Sequence, residues 1–127
     1  MRLDPNCVRS VLLELEEKPL GIYLPEELEK SVESYGIENV EYTVIKLEEA
    51  GYIRAGISKT LSSDYEIFGI FDITFTGHEF LNSVRSPSVW ERLKDSTLDG
   101  GSACLKVIGE IGVEILKEMA KEKLHIS

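Results

Sequence analysis

The clearest pattern of hydrophobic and polar positions in the chain lies between residues 37 and 49. At 100° per residue, its apolar and polar side chains separate onto two sides of a helix. The apolar side consists of Ile37, Val40, Val44 and Leu47, and the polar side includes Glu38, Tyr42, Lys46 and Glu49. Gly51 suits the left-handed position that ends a helix, and the residues from Ile53 onward alternate as in a strand. The sequence therefore predicts an amphipathic helix that buries its apolar side and leads directly into a strand.

Two helices are predicted before this one. Asp4 and Pro5 provide a capping side chain and a proline at the first helical position, and valine and leucine then repeat at helical spacing. Residues 19–24 form a short apolar segment, which predicts an extended connection or a brief first strand. Pro25 begins the second predicted helix and Gly36 ends it. The turn between the second and third helices is as short as the turn of a helix-turn-helix motif.

Two runs of strand character follow the third helix, over residues 52–58 and 65–74. A polar turn separates them, which predicts a β-hairpin in the position of the wing of a winged helix-turn-helix. Strict alternation places on one face of the second strand Ile67, Phe71 and Ile73, and on the other face Phe68 and Ile70.

Three more helices are predicted after the hairpin. The first begins at a cap formed by Thr74 or Thr76, the second is short and carries Trp90, and the third runs from Ser102 to about Leu124. The predicted fold class is α+β and mostly α, a winged helix-turn-helix (three helices plus a β-hairpin wing) with additional C-terminal helices. We expect the winged helix-turn-helix domain to span residues 1–84 and the C-terminal helical extension to span residues 85–127.

The last predicted helix has a wide apolar face. Its central stripe consists of Cys104, Ile108, Ile111, Ile115 and Met119. A face this broad either packs across the domain or pairs with a second copy of the chain, and the pattern leaves both alternatives open.

Charge is distributed unevenly along the chain, whose formal net charge is −9. Residues 1–80 hold seven basic and sixteen acidic side chains, whereas residues 81–127 hold seven of each. An acidic surface opposes DNA binding, because Lys and Arg that replace counterions at phosphates supply its sequence-independent affinity. The acidic residues can also simply solvate exposed helix faces.

Several classes of protein are not expected from this sequence. No window approaches the roughly 20 apolar residues that span a bilayer, and the first residues show no signal-peptide pattern. We therefore expect a soluble, cytoplasmic protein with no membrane partner. Cys7 and Cys104 are too few for a disulfide framework and are expected to be reduced thiols that pack as small apolar side chains.

The sequence also lacks the marks of catalysis. His78 and His125 stand apart from other residues at metal-ligand spacing, and the chain has no glycine-rich phosphate loop. Acidic pairs occur only at helix-surface spacing, with nothing to distinguish a general acid from a general base. We predict no catalytic residue, no metal and no cofactor, and we do not expect an enzyme.

The order of several segments resembles one known family. The segments are LDPNCVRSVLLELEE, EYTVIKLEEAGYI, ITFTGHEFLNSVR, the pair Val89-Trp90, and ILKEMAKEKL. With this order and spacing the chain resembles, over nearly its whole length, the bacterial and phage family named domain of unknown function 2513. The resemblance implies a winged helix-turn-helix with helical C-terminal additions and no established activity. Members commonly carry a Tyr-His pair in the third helix, where this chain has Tyr42 and Thr43.

Two functions are compatible with these observations. In the first, the chain is a DNA-binding or transcription-regulatory protein of phage or prophage type whose third helix enters the major groove. The candidate DNA contacts, on the third helix and the wing, are Asn39, Tyr42, Lys46, Arg54 and Lys59. Weak and salt-sensitive binding to double-stranded DNA is expected from so few basic residues.

In the second, the chain is an acidic protein–protein interaction module, a regulatory partner or DNA mimic, that does not bind DNA directly. The candidate protein contacts on the third helix are Glu38, Tyr42, Ile45 and Glu49. A homodimer through the C-terminal helix is compatible with either function.

Overall fold

The computed structural model describes residues 1–62, 64–96 and 105–126, and its fold is α+β and mostly helical. The described elements are α1 (Pro5–Glu17), α2 (Glu29–Tyr35), α3 (Ile37–Glu49), β1 (Ile53–Lys59), β2 (Tyr65–Ile73), α4 (Phe75–Val84), α5 (Pro87–Ser96) and α6 (Leu105–Ile126). They form two compact units, Met1–His78 and Glu79–Ser127, that divide within α4. The assignment of residues 1–84 and 85–127 to two domains stays a prediction. The predicted start of the last helix at Ser102 and the predicted packing of Cys104 lie outside the described residues.

α1 begins as predicted. The carboxylate of Asp4 accepts a hydrogen bond from the backbone N–H of Asn6 at 2.9 Å, and Pro5 occupies the first helical position. The buried apolar residues of the helix lie at helical spacing and are Cys7, Val8, Val11, Leu12 and Leu15. α1 therefore supplies one wall of the core of the first unit.

The second predicted helix is divided in the structure. Pro25–Glu27 forms a 3₁₀ turn, and α2 begins only at Glu29 with no side-chain cap of its own. The buried carboxylate of Glu14, in α1, instead accepts hydrogen bonds from the N–H groups of Lys30 and Ser31 at 3.1 and 2.9 Å. It also accepts the Ser31 hydroxyl at 2.9 Å. Because Glu14 satisfies N–H groups that the helix itself cannot, α1 supplies the N-terminal cap of α2.

α3 buries the side that periodicity predicted, except that Thr43 is buried as well and Ile37 is only half-buried. Its buried residues are Val40, Thr43, Val44 and Leu47, and Ile37 is half-buried at the first position. The glycines on either side of α3 both have positive φ, 84° at Gly36 and 79° at Gly51, as expected for the residues that end two successive helices.

β1 and β2 form the predicted antiparallel hairpin, whose register runs from Ile53 opposite Ile73 to Lys59 opposite Tyr65. On the other side of β2, the backbone of Tyr23 exchanges hydrogen bonds with Ile70 at 3.0 and 2.7 Å. Residues 19–24 were predicted to form either an extended connection or a brief strand. The structure combines them, since a single bridge forms within an extended segment.

The register contains two irregularities, and each leaves one extra residue on β2. These extra residues are Phe71, between the partners of Arg54 and Ala55, and Phe68, between the partners of Gly56 and Ile57. A bulge shifts which face the following side chain occupies. The predicted grouping of Phe71 with Ile73 is therefore wrong, because Ile73 is buried and Phe71 is exposed.

α4 starts against the turn that follows α3. Of the two predicted caps, Thr74 is the one used, since its hydroxyl oxygen accepts from the N–H of Gly77 at 3.1 Å. The same hydroxyl donates to the carbonyl of Gly51 at 2.5 Å. A side chain at position 77 would place its Cβ only 2.1 Å from the carbonyl oxygen of Tyr52, so only glycine fits there. Thr74 and Gly77 thus have structural roles.

Among the described residues of the second unit, the buried apolar ones are Phe80, Leu81, Val84, Val89, Trp90, Leu93 and Ile108. A Cβ at Gly112 in α6 would lie 2.4 Å from the carbonyl oxygen of Ser83 in α4, so the two helices approach closely at this glycine. Ile111, Ile115 and Met119 continue the predicted stripe of α6 and are half-buried. No described helix combines the length and the hydropathy that crossing a bilayer requires.

Candidate interaction surface on the third helix and the hairpin

α3 turns a mostly acidic side away from the core. Its sequence contains four glutamates and one lysine. Glu38 and Glu49 are exposed near its two ends, and Tyr42, Ile45 and Lys46 are half-buried between them. The outward side of α3 is the side that its periodicity predicts, and Ile45 is partly exposed as expected.

The four candidate protein contacts form one stripe on this side. Glu38, Tyr42, Ile45 and Glu49 are spaced at i, i+4, i+7 and i+11, so their side chains lie nearly above one another along the helix. The two apolar side chains are at the centre of the stripe and the two carboxylates are at its ends. An apolar centre with a charged rim is the usual composition of a protein-binding surface. We call these four residues the α3 stripe.

Asn39 lies beside this stripe, and its side chain already has a partner. The amide Nδ2 donates to the backbone carbonyl of Tyr35 at 2.7 Å. This bond joins the last residue of α2 to the first turn of α3 and satisfies a carbonyl that the end of α2 leaves open. The amide of this candidate DNA contact therefore stabilises the turn between the two helices.

Lys46 is paired within its own helix. Its Nζ lies 2.9 Å from Oε2 of Glu49 and 5.5 Å from the centroid of the Tyr42 ring. The hydrogen bond to Glu49 and its negative charge raise the pKa of Lys46, with smaller contributions from Tyr42 and Tyr65. The lysine is fully protonated at neutral pH, and an adjacent carboxylate balances its charge.

Lys59, at the end of β1, belongs to the same neighbourhood. Its Nζ lies 5.9 Å from the centroid of the Tyr65 ring, and the two residues are cross-strand partners in the hairpin. Tyr65 also makes the smallest of the contributions that act on the pKa of Lys46. We call Tyr42, Lys46, Lys59 and Tyr65 the lysine–tyrosine cluster. Tyr65 was not among the predicted site residues, because strand alternation carries no signal that its ring lies beside Lys59.

Arg54 does not join the cluster. It lies opposite Asp72 in the hairpin register, five positions before Lys59 on the same strand. At the rise of a β-strand this separation is about 17 Å. Of the five predicted DNA contacts, the structure brings together Tyr42 and Lys46, with Asn39 about one helical turn from Tyr42. Lys59 lies on the hairpin beside Tyr65.

Two further reactive side chains of the first unit, His78 and Cys7, have structural partners. Nδ1 of His78 lies 3.9 Å from Oε2 of Glu16. Cys7 is fully buried, and this burial raises the pKa of its thiol. Within the described part of the chain, no three His, Cys, Asp or Glu side chains are placed to share a metal ion.

The comparisons with known proteins cover most of the chain. The model of the family described as "Hypothetical protein (DUF2513)" matches residues 2–103. An uncharacterised protein of Haemophilus influenzae is 29% identical over 123 residues, which cover 94% of this chain and 98% of that protein. No solved structure gives a significant match.

Proposed function

This chain belongs to the DUF2513 family, as its segments predicted, and we propose that it is an acidic winged-helix module that binds another protein. The order of elements supports the winged-helix assignment: α1, the Tyr23 bridge, α2, α3 and the hairpin follow one another as in a winged helix-turn-helix. In that arrangement α3 takes the place of the recognition helix and the hairpin takes the place of the wing. The proposed role is binding, without catalysis.

The observation that carries the proposal is the α3 stripe. Tyr42 and Ile45 offer a partly exposed apolar centre on the helix that this fold presents to its partners, and Glu38 and Glu49 flank it. Aromatic side chains at the centre of a surface are frequent binding hot spots, and charged residues at the rim govern the choice of partner.

The charge of the first unit supports protein over DNA as the partner. Residues 1–78 hold seven basic and fifteen acidic side chains. Basic side chains of this unit are already paired with carboxylates, among them Lys46 with Glu49 at 2.9 Å and Lys30 with Glu17 at 3.0 Å. Phosphate binding would have to displace these carboxylates and overcome the repulsion of the remaining acids.

DNA binding is the second candidate, and the lysine–tyrosine cluster favours it. Lys46 and Lys59 come from α3 and from the hairpin, the two elements that a winged helix places against DNA, and two tyrosines lie beside them. A transcription-regulatory role would follow only from this candidate.

One binding experiment separates the two candidates. The full chain is titrated against a short fluorescent duplex at low salt, and is also used to select binders from a random peptide library. Protein binding predicts saturable peptides whose Kd rises at least about 10-fold in the Tyr42→Ala and Ile45→Ala variants, the loss typical of hot-spot residues. It also predicts a duplex Kd weaker than about 100 μM, the weak end of non-specific DNA binding.

Lys30→Ala is the matched control, because Lys30 is a paired lysine of the same unit outside the lysine–tyrosine cluster. A tighter duplex complex that Lys46→Ala and Lys59→Ala both weaken, with Lys30→Ala unchanged, would establish DNA binding instead. A library that returned no saturable binder would refute the protein-binding proposal.

Self-association through α6 is part of the proposal. No described side chain from 113 to 124 in α6 is buried, and Val113 and Leu116 are exposed beside the half-buried Ile115 and Met119. Residues 81–127 carry seven basic and seven acidic side chains, so two copies of this region would not repel each other. A second copy of the chain is therefore the proposed occupant of this face.

A further inference from the structure

β1 is a free edge of the hairpin sheet. In the described part of the chain, β1 pairs with β2 alone, and the Tyr23 bridge lies on the far side of β2. The backbone hydrogen bonds described for Ile53–Lys59 are those of the hairpin ladder. The N–H and C=O groups on the outer side of β1 therefore point away from the sheet. Such a row of backbone groups can pair with a strand of another chain.

The ring of Phe71 lies over the middle of this edge strand. An ideal Cβ on Gly56 in β1 would lie 3.3 Å from Cζ of Phe71, and one on Gly69 in β2 would lie 3.3 Å from its Cε1. The two glycines are cross-strand partners. The ring therefore spans both strands over a floor without side chains, and Phe71 is 42% exposed. An apolar side chain thus reaches the free edge of the sheet.

Phe68 and Ile22 extend the apolar surface on the same face. Cβ of Phe68 would lie 3.6 Å from the ideal Cβ on Gly56, and Cγ2 of Ile22 would lie 2.5 Å from the one on Gly69. The two phenylalanines share a face although their positions differ in parity, because each is the extra residue of a bulge. Phe68 and Ile22 are 59% and 69% exposed. We call Ile22, Phe68 and Phe71 the hairpin patch.

The sequence of β1 is complementary to itself in an antiparallel pair. When Gly56 lies opposite Gly56 of a second copy, all seven residues of the strand are paired, with Arg54 opposite Ser58 and Ile53 opposite Lys59. No like charges then face each other directly, and the two Arg54 side chains are about 13 Å apart along the strands. A shift of one residue would put the two hairpin patches on opposite faces of the sheet.

The charge of the hairpin also permits a second copy at this edge. Residues 53–73 hold two basic and three acidic side chains, whereas residues 1–78 hold seven basic and fifteen acidic ones. Two hairpins therefore repel each other much less than other surfaces of the first unit would. Salt screens the repulsion that remains between the two acidic units, over a distance of about 8 Å at physiological ionic strength.

We propose that β1 pairs with β1 of a second copy, antiparallel and centred on Gly56, so that the two hairpins form one continuous sheet. Opposed Cα atoms in such a pair are about 4.5–5.5 Å apart, so the Phe71 rings of the two copies meet over the glycines. The outer backbone groups of both strands gain partners, and the two hairpin patches merge on one face.

This pairing uses no residue of the α3 stripe or of the exposed side of α6, and it does not depend on the proposed protein partner. One paired strand and three side chains bury less than the roughly 800 Å² per partner of a stable complex, so the pairing is weak. Together with the α6 contact proposed above, it joins dimers into a larger assembly at high concentration.

The pairing is measured in the full chain that carries Val113→Ser and Leu116→Ser, so that α6 does not contribute. Sedimentation equilibrium up to about 1 mM should show a monomer–dimer equilibrium, the range expected for a contact of this size. Added salt should strengthen it by screening the acidic units. Phe71→Ser and Gly56→Glu should each raise the Kd at least about 10-fold, the first by removing the aromatic contact and the second by opposing two carboxylates.

Leu61→Ser is the matched control and should leave the Kd unchanged, because Leu61 is a fully exposed apolar residue of the same hairpin outside the pairing. Circular dichroism should show unaltered folding in these variants, since Leu61, Phe71 and Gly56 are not in the buried core. Tyr42→Ala should also pair as before. A failed peptide selection with intact pairing would thus refute the proposed function alone.

Disulfide cross-linking tests the register in a Cys104→Ser background, where Cys7 is buried. Gly56→Cys should form a linked dimer on oxidation at least 10-fold faster than Ser58→Cys. The two copies of position 56 are opposite each other within the reach of a disulfide, whereas those of position 58 are about 13 Å apart along the strands. An equal mixture of Arg54→Cys and Ser58→Cys chains should link to each other, because these positions are also opposed.

Several results would overturn the proposal. One is a chain that stays monomeric up to 1 mM at every salt concentration. Another is a dimer that Phe71→Ser and Gly56→Glu leave unchanged, or one that links as fast through position 58 as through position 56. Selected peptides that bind in a Phe71-dependent way and leave the chain monomeric would assign the edge to a strand of another protein instead.

Discussion

Thr43 shows how one side chain joins α3 to α1. Its hydroxyl donates to the carbonyl of Asn39 at 2.7 Å and lies 3.3 Å from Sγ of Cys7, and both Thr43 and Cys7 are buried. The family resemblance of the sequence implies a histidine at the position of Thr43. In this chain that position faces the core, so its side chain sets the packing between the two helices and is not presented to a partner.

Cys7 should be unreactive in the folded protein. Burial raises the pKa of its thiol, so the thiolate that attacks alkylating reagents is scarcer than in an exposed cysteine, and the reagent has no access. In a Cys104→Ser background, we expect iodoacetamide at pH 8 to modify Cys7 at least about 10-fold more slowly than in the urea-unfolded chain. Mass spectrometry of timed samples would measure both rates. Equal rates would show that the contact between α1 and α3 opens readily.

At the scale of elements, α2 depends on another helix, α1, for its N-terminal cap. Glu14→Ala would remove the acceptor of three hydrogen bonds at the start of α2. We expect the free energy of unfolding to fall by about 2–3 kcal/mol, as for hydrogen bonds to a charged group whose buried donors lose their partner. Urea denaturation at neutral pH, followed by circular dichroism, measures the change.

Glu17→Ala provides the comparison from the same helix. Glu17 pairs with Lys30, but both side chains are mostly exposed, so its loss should lower the free energy of unfolding much less than the loss of Glu14. A Glu14→Ala variant no less stable than Glu17→Ala would argue that water replaces the carboxylate at the start of α2.

The hairpin shows the same dependence on distant contacts. Strand alternation predicted its two strands and its polar turn, and the register confirms the pairing. The bulges at Phe71 and Phe68 could not be predicted, because an extra residue in one strand becomes visible only against the partner strand. These two residues then decide which face of the hairpin is apolar and exposed.

At the scale of the whole molecule, net charge is unevenly distributed along the chain. The acidic excess lies in the first 80 residues, whereas the neutral remainder includes the exposed apolar side of α6. This distribution suits a module that meets partners through its acidic unit and a second copy through α6.

The proposed self-association has a direct test. Ser substitutions at Val113 and Leu116 should shift the full chain from dimer toward monomer in multi-angle light scattering, with dissociation at least about 10-fold easier, because they remove apolar contact area from the interface. Leu61→Ser, an exposed apolar substitution outside α6, should leave the mass unchanged. A wild-type chain that is monomeric at every concentration would contradict the proposal.

Some features of the candidate site likewise follow from the local sequence, and others depend on contacts between residues far apart in the chain. Periodicity placed Glu38, Tyr42, Lys46 and Glu49 on the outward side of α3 and Ile45 near the edge of the buried stripe, and the structure leaves all five at least partly exposed. It could not show that Asn39 and Lys46 already have partners, or that Lys59 lies beside the ring of Tyr65. Those facts depend on rotamers and on contacts between residues far apart in the chain.

The sequence by itself determined the α+β class, the number and order of the described helices and strands, and the buried side of α3. These features follow from local physics: a period of 3.6 or 2, glycines at positive φ, and prolines and polar caps at helix starts. Only the tertiary structure decided that Glu14 caps α2, that Glu49 balances Lys46, and that two bulges expose Phe68 and Phe71 on one face. Each of these features depends on which residues distant in sequence come into contact. The pattern of hydrophobic and polar positions does not contain that information.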